Sequence, residues 1–141
     1  MSAPTPIQEF FSSPAQKFAV VGASNNRTKF GNKVLRWYVD HGYTAVPVNP
    51  KEDTIESLAC VKSLSSLPGT PAEYHVSIIT PPAITKSVLE DAHKSGVKFV
   101  WMQPDVDSPE ALAYAKEVGI RVIAGGPCVL VDGIPSSHAK L

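Results

Sequence analysis

Cysteine, histidine, excess charge and long apolar runs are all scarce in this chain, and each scarcity removes a class of function. Two cysteines occur in 141 residues, Cys60 and Cys128. They make no disulfide framework and no Cys-x-x-Cys metal pair, which fits a reducing, intracellular setting. Four histidines are scattered along the sequence without metal-ligand spacing. Basic and acidic residues balance at 13 each, so there is neither a nucleic-acid stripe nor a polybasic membrane patch, and any anion must be held locally. No apolar run approaches the roughly 20 residues of a membrane span. Residues 1–15 hold three prolines and no apolar h-region, which argues against a secretory leader.

What the chain does have is a hydrophobic content of 43%, enough for one independently folding domain. Its organising stretch is Phe18-Ala19-Val20-Val21-Gly22-Ala23-Ser24-Asn25-Asn26-Arg27-Thr28-Lys29-Phe30-Gly31, an apolar run that meets a glycine and turns polar. The run reads as a buried parallel strand, and Gly22 as the point where backbone can approach a phosphate. Ser24 and Asn25 can add hydrogen bonds, and a helix beginning near Phe30 directs its positive end at the same loop.

Thr5-Pro6-Ile7-Gln8 has the form of a capping box, which predicts a short helix over 6–11 that docks Phe10 and Phe11 and stops at Ser13 and Pro14. Helical spacing of Phe30, Val34, Trp37, Tyr38 and His41 predicts the next helix, closed by Gly42. From Gly42 a pattern repeats: a glycine, a short apolar strand, and a proline eight residues beyond, as Gly42 to Pro50, Gly96 to Pro104 and Gly119 to Pro127. Each reads as a glycine past a helix end followed by a strand whose ladder stops before the proline.

His75 to Thr80 predicts a further strand, with Pro82 in the first turn of the helix after it. Ile84, Val88, Leu89 and Ala92 give that helix a buried stripe. Ser108-Pro109-Glu110 opens a last helix that presents Ala111, Leu112, Ala115 and Val118 inward. Between Lys51 and Tyr74 the signal is weak, with a short strand at Leu58 to Val61 and a helical turn at Ser63 to Leu67 before the Pro68-Gly69-Thr70-Pro71 break. Strands alternating with helices predict an α/β fold, a Rossmann-like open and mostly parallel sheet of about five strands with helices on both faces. Ligands in such sheets bind beyond the strands' carboxyl ends. Those ends are Gly22–Ser24, Asn49–Lys51, Thr80–Pro82, Gln103–Asp105 and Gly125–Cys128.

The loop is not Gly-x-Gly-x-x-Gly, and the second strand ends Val48-Asn49-Pro50-Lys51 without the acid that binds a ribose in NAD proteins. Lys51 there suits a phosphorylated ligand, with Arg27, Lys29 and Lys33 as further sources of charge. No Gly-x-Ser-x-Gly elbow occurs, and Asp91 and His93 cannot face one another on one helix. His41 and His75 suit capping or surface roles, Trp37 and Trp101 the core, and Cys60 packing.

Val20-Val21-Gly22-Ala23-Ser24, Gly42-Tyr43, Val46-Pro47-Val48-Asn49-Pro50-Lys51, Ser63-Leu64 to Leu67-Pro68, and Val100-Trp101-Met102-Gln103 together resemble the small stand-alone CoA-binding proteins. These are similar to the CoA-binding domain of the succinyl-CoA synthetase alpha subunit. The resemblance implies a domain over 17–133, after an amino-terminal helix and lead-in over 1–16, that binds CoA or an acyl-CoA, and the thin inventory of catalytic motifs adds the expectation that it does so without catalysing a reaction. It implies the glycine loop Gly22, Ala23 and Ser24 near the phosphates, the Asn49-Pro50-Lys51 turn beside the adenosine, and Thr80, Pro81 and Pro82 along the same groove; Arg27, by its charge, and Gln103, at a strand end, complete the expected contacts. The chain departs from the family at Pro104-Asp105 and Gly126-Pro127-Cys128, where a glycine-containing turn and an acid two residues before the cysteine are usual. Two other readings remain: an enzyme acting on a CoA thioester or a nicotinamide substrate through Cys128 or Asp105, and an interaction subunit that binds no ligand.

The tail over 134–141 ends in Ala139-Lys140-Leu141, which resembles the Ser-Lys-Leu peroxisomal address. Its expected partner is the peroxisomal import receptor and its expected destination the peroxisomal matrix, with the cytoplasm as the alternative. Deleting Leu141 should leave a tagged protein cytosolic, and undiminished punctate import would refute the address.

Overall fold

A computed structural model describes residues 3–12 and 17–136. The expected address at Ala139-Lys140-Leu141 and the helix stop at Ser13 and Pro14 lie outside the described residues.

Helix α1 (Pro6–Ser12) begins with the reciprocal cap its sequence predicts. Thr5 N–H donates to Gln8 Oε1 at 2.8 Å and Gln8 N–H to Thr5 Oγ1 at 3.1 Å, so two first-turn amides are satisfied. Strand β1 (Lys17–Val21) leads through the polar loop to α2 (Phe30–Asp40) and β2 (Thr44–Val48). A small antiparallel hairpin, β3 (Thr54–Ile55) and β4 (Leu58–Ala59), comes next. The 3-10 turn over Leu64–Ser66, followed by a second short one over Pro71–Glu73, then leads to β5 (Tyr74–Ile78). After it come α3 (Pro82–Ser95), β6 (Phe99–Met102), α4 (Pro109–Val118), β7 (Arg121–Ile123) and the short α5 (Val129–Asp132).

The five long strands form one sheet in the order β2-β1-β5-β6-β7, every pair parallel. This is the open, doubly covered sheet that the alternating pattern predicts. Its central strands β1, β5 and β6 are buried on both faces, and successive residues divide between them, as a period of two requires. Ala19, Val21, Val76, Ile78, Val100 and Met102 pack with Leu89, Ala92, Ala111 and Ala115 of α3 and α4. Phe18, Val20, Phe99 and Trp101 point the other way, into Phe10, Phe11, Val34, Leu35 and Tyr38 of α1 and α2.

The second face also buries hydrogen-bonded polar groups. Tyr38 and Ser77 share a hydrogen bond of 2.6 Å between their hydroxyls. His75 Nδ1–H donates to the Phe10 carbonyl at 2.7 Å and so fixes α1 on the sheet. Burial lowers the His75 pKa, its bond to Phe10 opposing that shift. The imidazole is thus held neutral when folded and takes a proton more readily when unfolded. Its contribution to stability is present above the unfolded pKa of about 6.5 and is lost as pH falls through the lower folded value. Urea midpoints should therefore drop between pH 7.5 and 5, with a shallower drop in His75→Asn, whose amide can still donate to Phe10. Equal slopes in the two proteins would refute this.

Gly42, Gly96 and Gly119 all take the left-handed conformation, with φ of 87°, 90° and 82°, so the repeated glycine-to-proline unit is real. Several details differ from the sequence expectation. Ile84 and Leu112, both expected to face inward from their helices, are exposed at 48% and 38%. Strand β5 stops at Ile78 rather than Thr80. Of the expected strand at Leu58 to Val61, only Leu58–Ala59 pairs in the hairpin, while Val61 bridges in parallel to Val48. The hairpin turns on Glu56 and Ser57, both left-handed at φ 49° and 64°, without the glycine or asparagine that usually announces such a turn.

Candidate functional site

Reading outward from β1, chain order runs one way to β2 and the other way to β5, so the reversal lies between β1 and β5. A crevice opens at the carboxyl ends of strands flanking such a point. Here it is a groove of 370 Å³ between the glycine loop, the end of β2, the segment entering the 3-10 turn, and α3. Val21, Val48, Leu64, Ile84 and Val88 supply apolar walls, and Asn49, Lys62, Ser63, Ser87 and Asp91 supply polar points. Ile84 is 48% exposed, an apolar side chain in water whose exposed face belongs to this wall.

The loop under the groove is set by close backbone packing. Gly22 has φ 92°, and a Cβ there would stand 1.9 Å from the Ile79 carbonyl oxygen. Gly31, in the first turn of α2, has the same relation to Gly22, since its Cβ would fall 2.0 Å from the Gly22 oxygen. The helix thus starts directly against the strand end, a separation only glycine permits.

Asn49 holds the neighbouring strand end to this loop. Its Nδ2 donates to the Ala23 carbonyl at 2.9 Å, while its Oδ1 accepts from the backbone N–H groups of Lys51 and Glu52 at 2.7 and 3.0 Å. Asn25 and Asn32 tie the loop further, to Glu52 and Thr54 and to the Ser24 carbonyl respectively. Ser24 Oγ accepts from Asn26 N–H. Thr80 Oγ1 lies 2.9 Å from Thr85 Oγ1, whose own proton goes to the Val106 carbonyl at 2.7 Å, so Thr80 is the donor of that pair.

Of the residues the sequence singles out, Gly22, Asn49, Pro50 and Thr80 line the groove. Ala23 is buried beneath it, and Ser24 sits in the adjoining loop. Pro81 and Pro82 are exposed at the start of α3, and Lys51 is exposed beyond the β2 end. Arg27 is engaged elsewhere, its guanidinium 3.3 Å from both Glu56 oxygens. The Asn32 amide, with Arg27 beside it, holds the Glu56 carboxyl below the usual carboxylate range. Gln103 is fully buried. Its Oε1 accepts from Val129 N–H at 2.9 Å, and its Nε2 has no partner among the described residues. The turn after it, Pro104-Asp105, places Asp105 at φ 68°, the left-handed conformation that a glycine would supply more easily.

Sequence reasoning did not single out Lys62, Ser63, Leu64, Ser87 or Asp91 as groove residues. Asp91 Oδ2 accepts from Leu64 N–H at 2.9 Å and so joins α3 to the 3-10 turn. The signal for Ser87 and Asp91 was available, because they lie three and seven residues after Ile84 on one helical face.

A second cavity, of 360 Å³, lies at the amino ends of β5, β6 and β7 among Glu9, Ser12, His75, Lys98, Phe99 and Arg121. Its guanidinium is already committed. Arg121 meets both Glu9 oxygens at 3.2 Å and lies 4.2 Å over the Phe99 ring. No group of acidic, histidine and cysteine side chains among the described residues has metal-binding geometry, and no described helix is long and apolar enough to cross a membrane.

The family model described as "CoA binding domain" matches residues 16–134. The alpha subunit of ADP-forming acetate–CoA ligase II from Pyrococcus furiosus is 30% identical over 94% of this chain, which spans 30% of that subunit's length. A solved structure of a conserved hypothetical protein from Pyrococcus furiosus superposes with a TM-score of 0.76 at 34% identity, covering 82% of this chain and 97% of its own. A hypothetical protein from Pyrococcus horikoshii gives 0.81 at 28% identity, covering 94% of each chain.

Proposed function

The chain belongs to the CoA-binding domain family, and from that premise we propose that it binds CoA or an acyl-CoA in the groove at the carboxyl ends of β1, β2 and β5, without catalysing a reaction on it. The observation that carries this reading is the convergence of Gly22, the Asn49-Pro50 turn and Thr80 on one groove at the point where strand order reverses. The apolar walls suit an adenine ring, whose faces need apolar contact and whose edge needs a few hydrogen bonds. The loop from Gly22 to Arg27 receives the diphosphate, with the backbone brought close by Gly22 and Gly31.

The non-catalytic part of the reading rests on what the groove offers. Its titratable side chains are Lys62 and Asp91. Asp91 is engaged by the Leu64 amide and the Ser95 hydroxyl, Lys62 by the Glu52 carbonyl and Asp53, and neither histidine nor cysteine is among the residues lining the groove. Cys128 stands outside the groove at the start of α5, its N–H donating to Asp132.

Calorimetric titration with CoA, acetyl-CoA, a long-chain acyl-CoA and NAD tests the reading. Saturable heat with the CoA compounds, little with NAD, and no release of free thiol from acetyl-CoA is the expected pattern. Absence of heat with CoA up to millimolar concentration contradicts binding, and steady thiol release contradicts the non-catalytic role.

A further inference from the structure

One rim of the groove carries chemistry that neither an adenine nor a diphosphate at the glycine loop requires. The segment leaving β4 presents Lys62 and Ser63 to the groove. Ser63 Oγ lies 3.0 Å from Ser65 Oγ and 3.4 Å from Ser66 Oγ. These hydroxyls bond to one another, and each proton can rotate toward an outside acceptor.

Lys62 is the basic side chain among the residues lining the groove. Its ammonium has three N–H donors, and two are directed at the Glu52 carbonyl, 3.2 Å away, and Asp53 Oδ1, 3.3 Å away. One donor remains. The Asp53 side chain is 96% exposed, so that pair is solvent-screened and readily exchanged for a stronger anion. Lys51, the lysine favoured by sequence position, is exposed and does not line the groove.

Resting on the CoA reading above, we infer that Lys62, with the Ser63 hydroxyl cluster, recognises the 3′-phosphate of the CoA ribose and makes the groove select CoA over its 3′-dephospho form. The chemistry is matched. A ribose placed between the adenine walls and the diphosphate loop carries its substituents at the groove rim, and a phosphate there gains a charge-assisted bond from the ammonium and hydroxyl donors from the serines. Asp91 belongs to the α3 wall. Its carboxylate accepts from Leu64 N–H and repels a phosphate, which restricts the favourable position to the Lys62 rim.

The test compares CoA with 3′-dephospho-CoA by calorimetry on the native protein, Lys62→Gln and Lys62→Arg. The native protein should prefer CoA by about tenfold, Lys62→Gln should bring the two ligands within about twofold, and Lys62→Arg should restore most of the preference. Retention of the native preference in Lys62→Gln, or no preference in the native protein, overturns the inference while leaving the groove reading intact. Failure of the native protein to bind either compound overturns both.

Discussion

Alanine in place of Gly31 is expected to destabilise the protein by roughly 2–3 kcal/mol, the scale of an overpacked core, although alanine ordinarily stabilises a helix relative to glycine by about 1 kcal/mol. The reversal of sign comes from one distance. A Cβ on Gly31 would stand 2.0 Å from the carbonyl oxygen of Gly22 and 3.3 Å from the Cα of Ala23. Both are backbone atoms, so no side-chain rotation relieves the overlap. The start of α2 must lift away from the strand end, or Gly22 must move into Ile79, whose carbonyl already closes on it from the other side. Chemical denaturation measures the effect directly. An unchanged or raised midpoint for Gly31→Ala would show that the loop is not held by backbone contact.

Filling the groove should abolish ligand binding without disturbing the fold, and Ser87→Trp is the substitution suited to it. Ser87 is exposed on α3, lines the groove, and makes one local bond to the Ile84 carbonyl at 2.7 Å. An indole from that position reaches over the apolar walls and takes the place intended for adenine. Affinity for CoA should fall by about 100-fold or more, equivalent to ~2.7 kcal/mol, while stability stays within about 0.5 kcal/mol as for other surface substitutions. Binding of CoA by Ser87→Trp at native affinity would place the ligand elsewhere.

Much of this architecture was legible because its determinants are local. The capping box at Thr5 and Gln8, the N-cap at Ser108 and the left-handed glycines at 42, 96 and 119 each depend on a few neighbouring residues. The buried strands were legible because both faces are covered and their sequences run apolar. What escaped depends on distant partners. The hairpin over 54–59 turns on Glu56 and Ser57, and Glu56 is held from outside by Asn32 and Arg27 rather than by turn propensity. Helix α5 is a single turn whose Val129 amide is met by Gln103, a partner 26 residues away.

The site was legible in outline for the same reason. Strand ends follow from the strands, so Gly22, Asn49 and Thr80 were accessible to sequence reasoning and do converge. The direction of a side chain beyond a strand end was not. Gln103 turns inward under α5 and Arg27 turns toward the hairpin, whereas Lys62 and Ser63 reach the groove only because Val61 pairs with Val48 and carries them alongside β2. The role of Gly31 was hidden in plain view. A glycine inside the first turn of a helix is costly unless something approaches its face, and here the approaching atom is the Gly22 carbonyl oxygen.

Backbone amide shifts followed by NMR as CoA is added test the central claim most directly. Perturbations are expected at Gly22–Ser24, Asn49, Lys62, Ser63, Thr80 and the groove face of α3 from Ile84 to Asp91, with His75, Lys98 and Arg121 at the amino ends of β5, β6 and β7 unmoved. Shifts concentrated at those amino ends, or no shifts at saturating CoA, would contradict CoA binding in the groove.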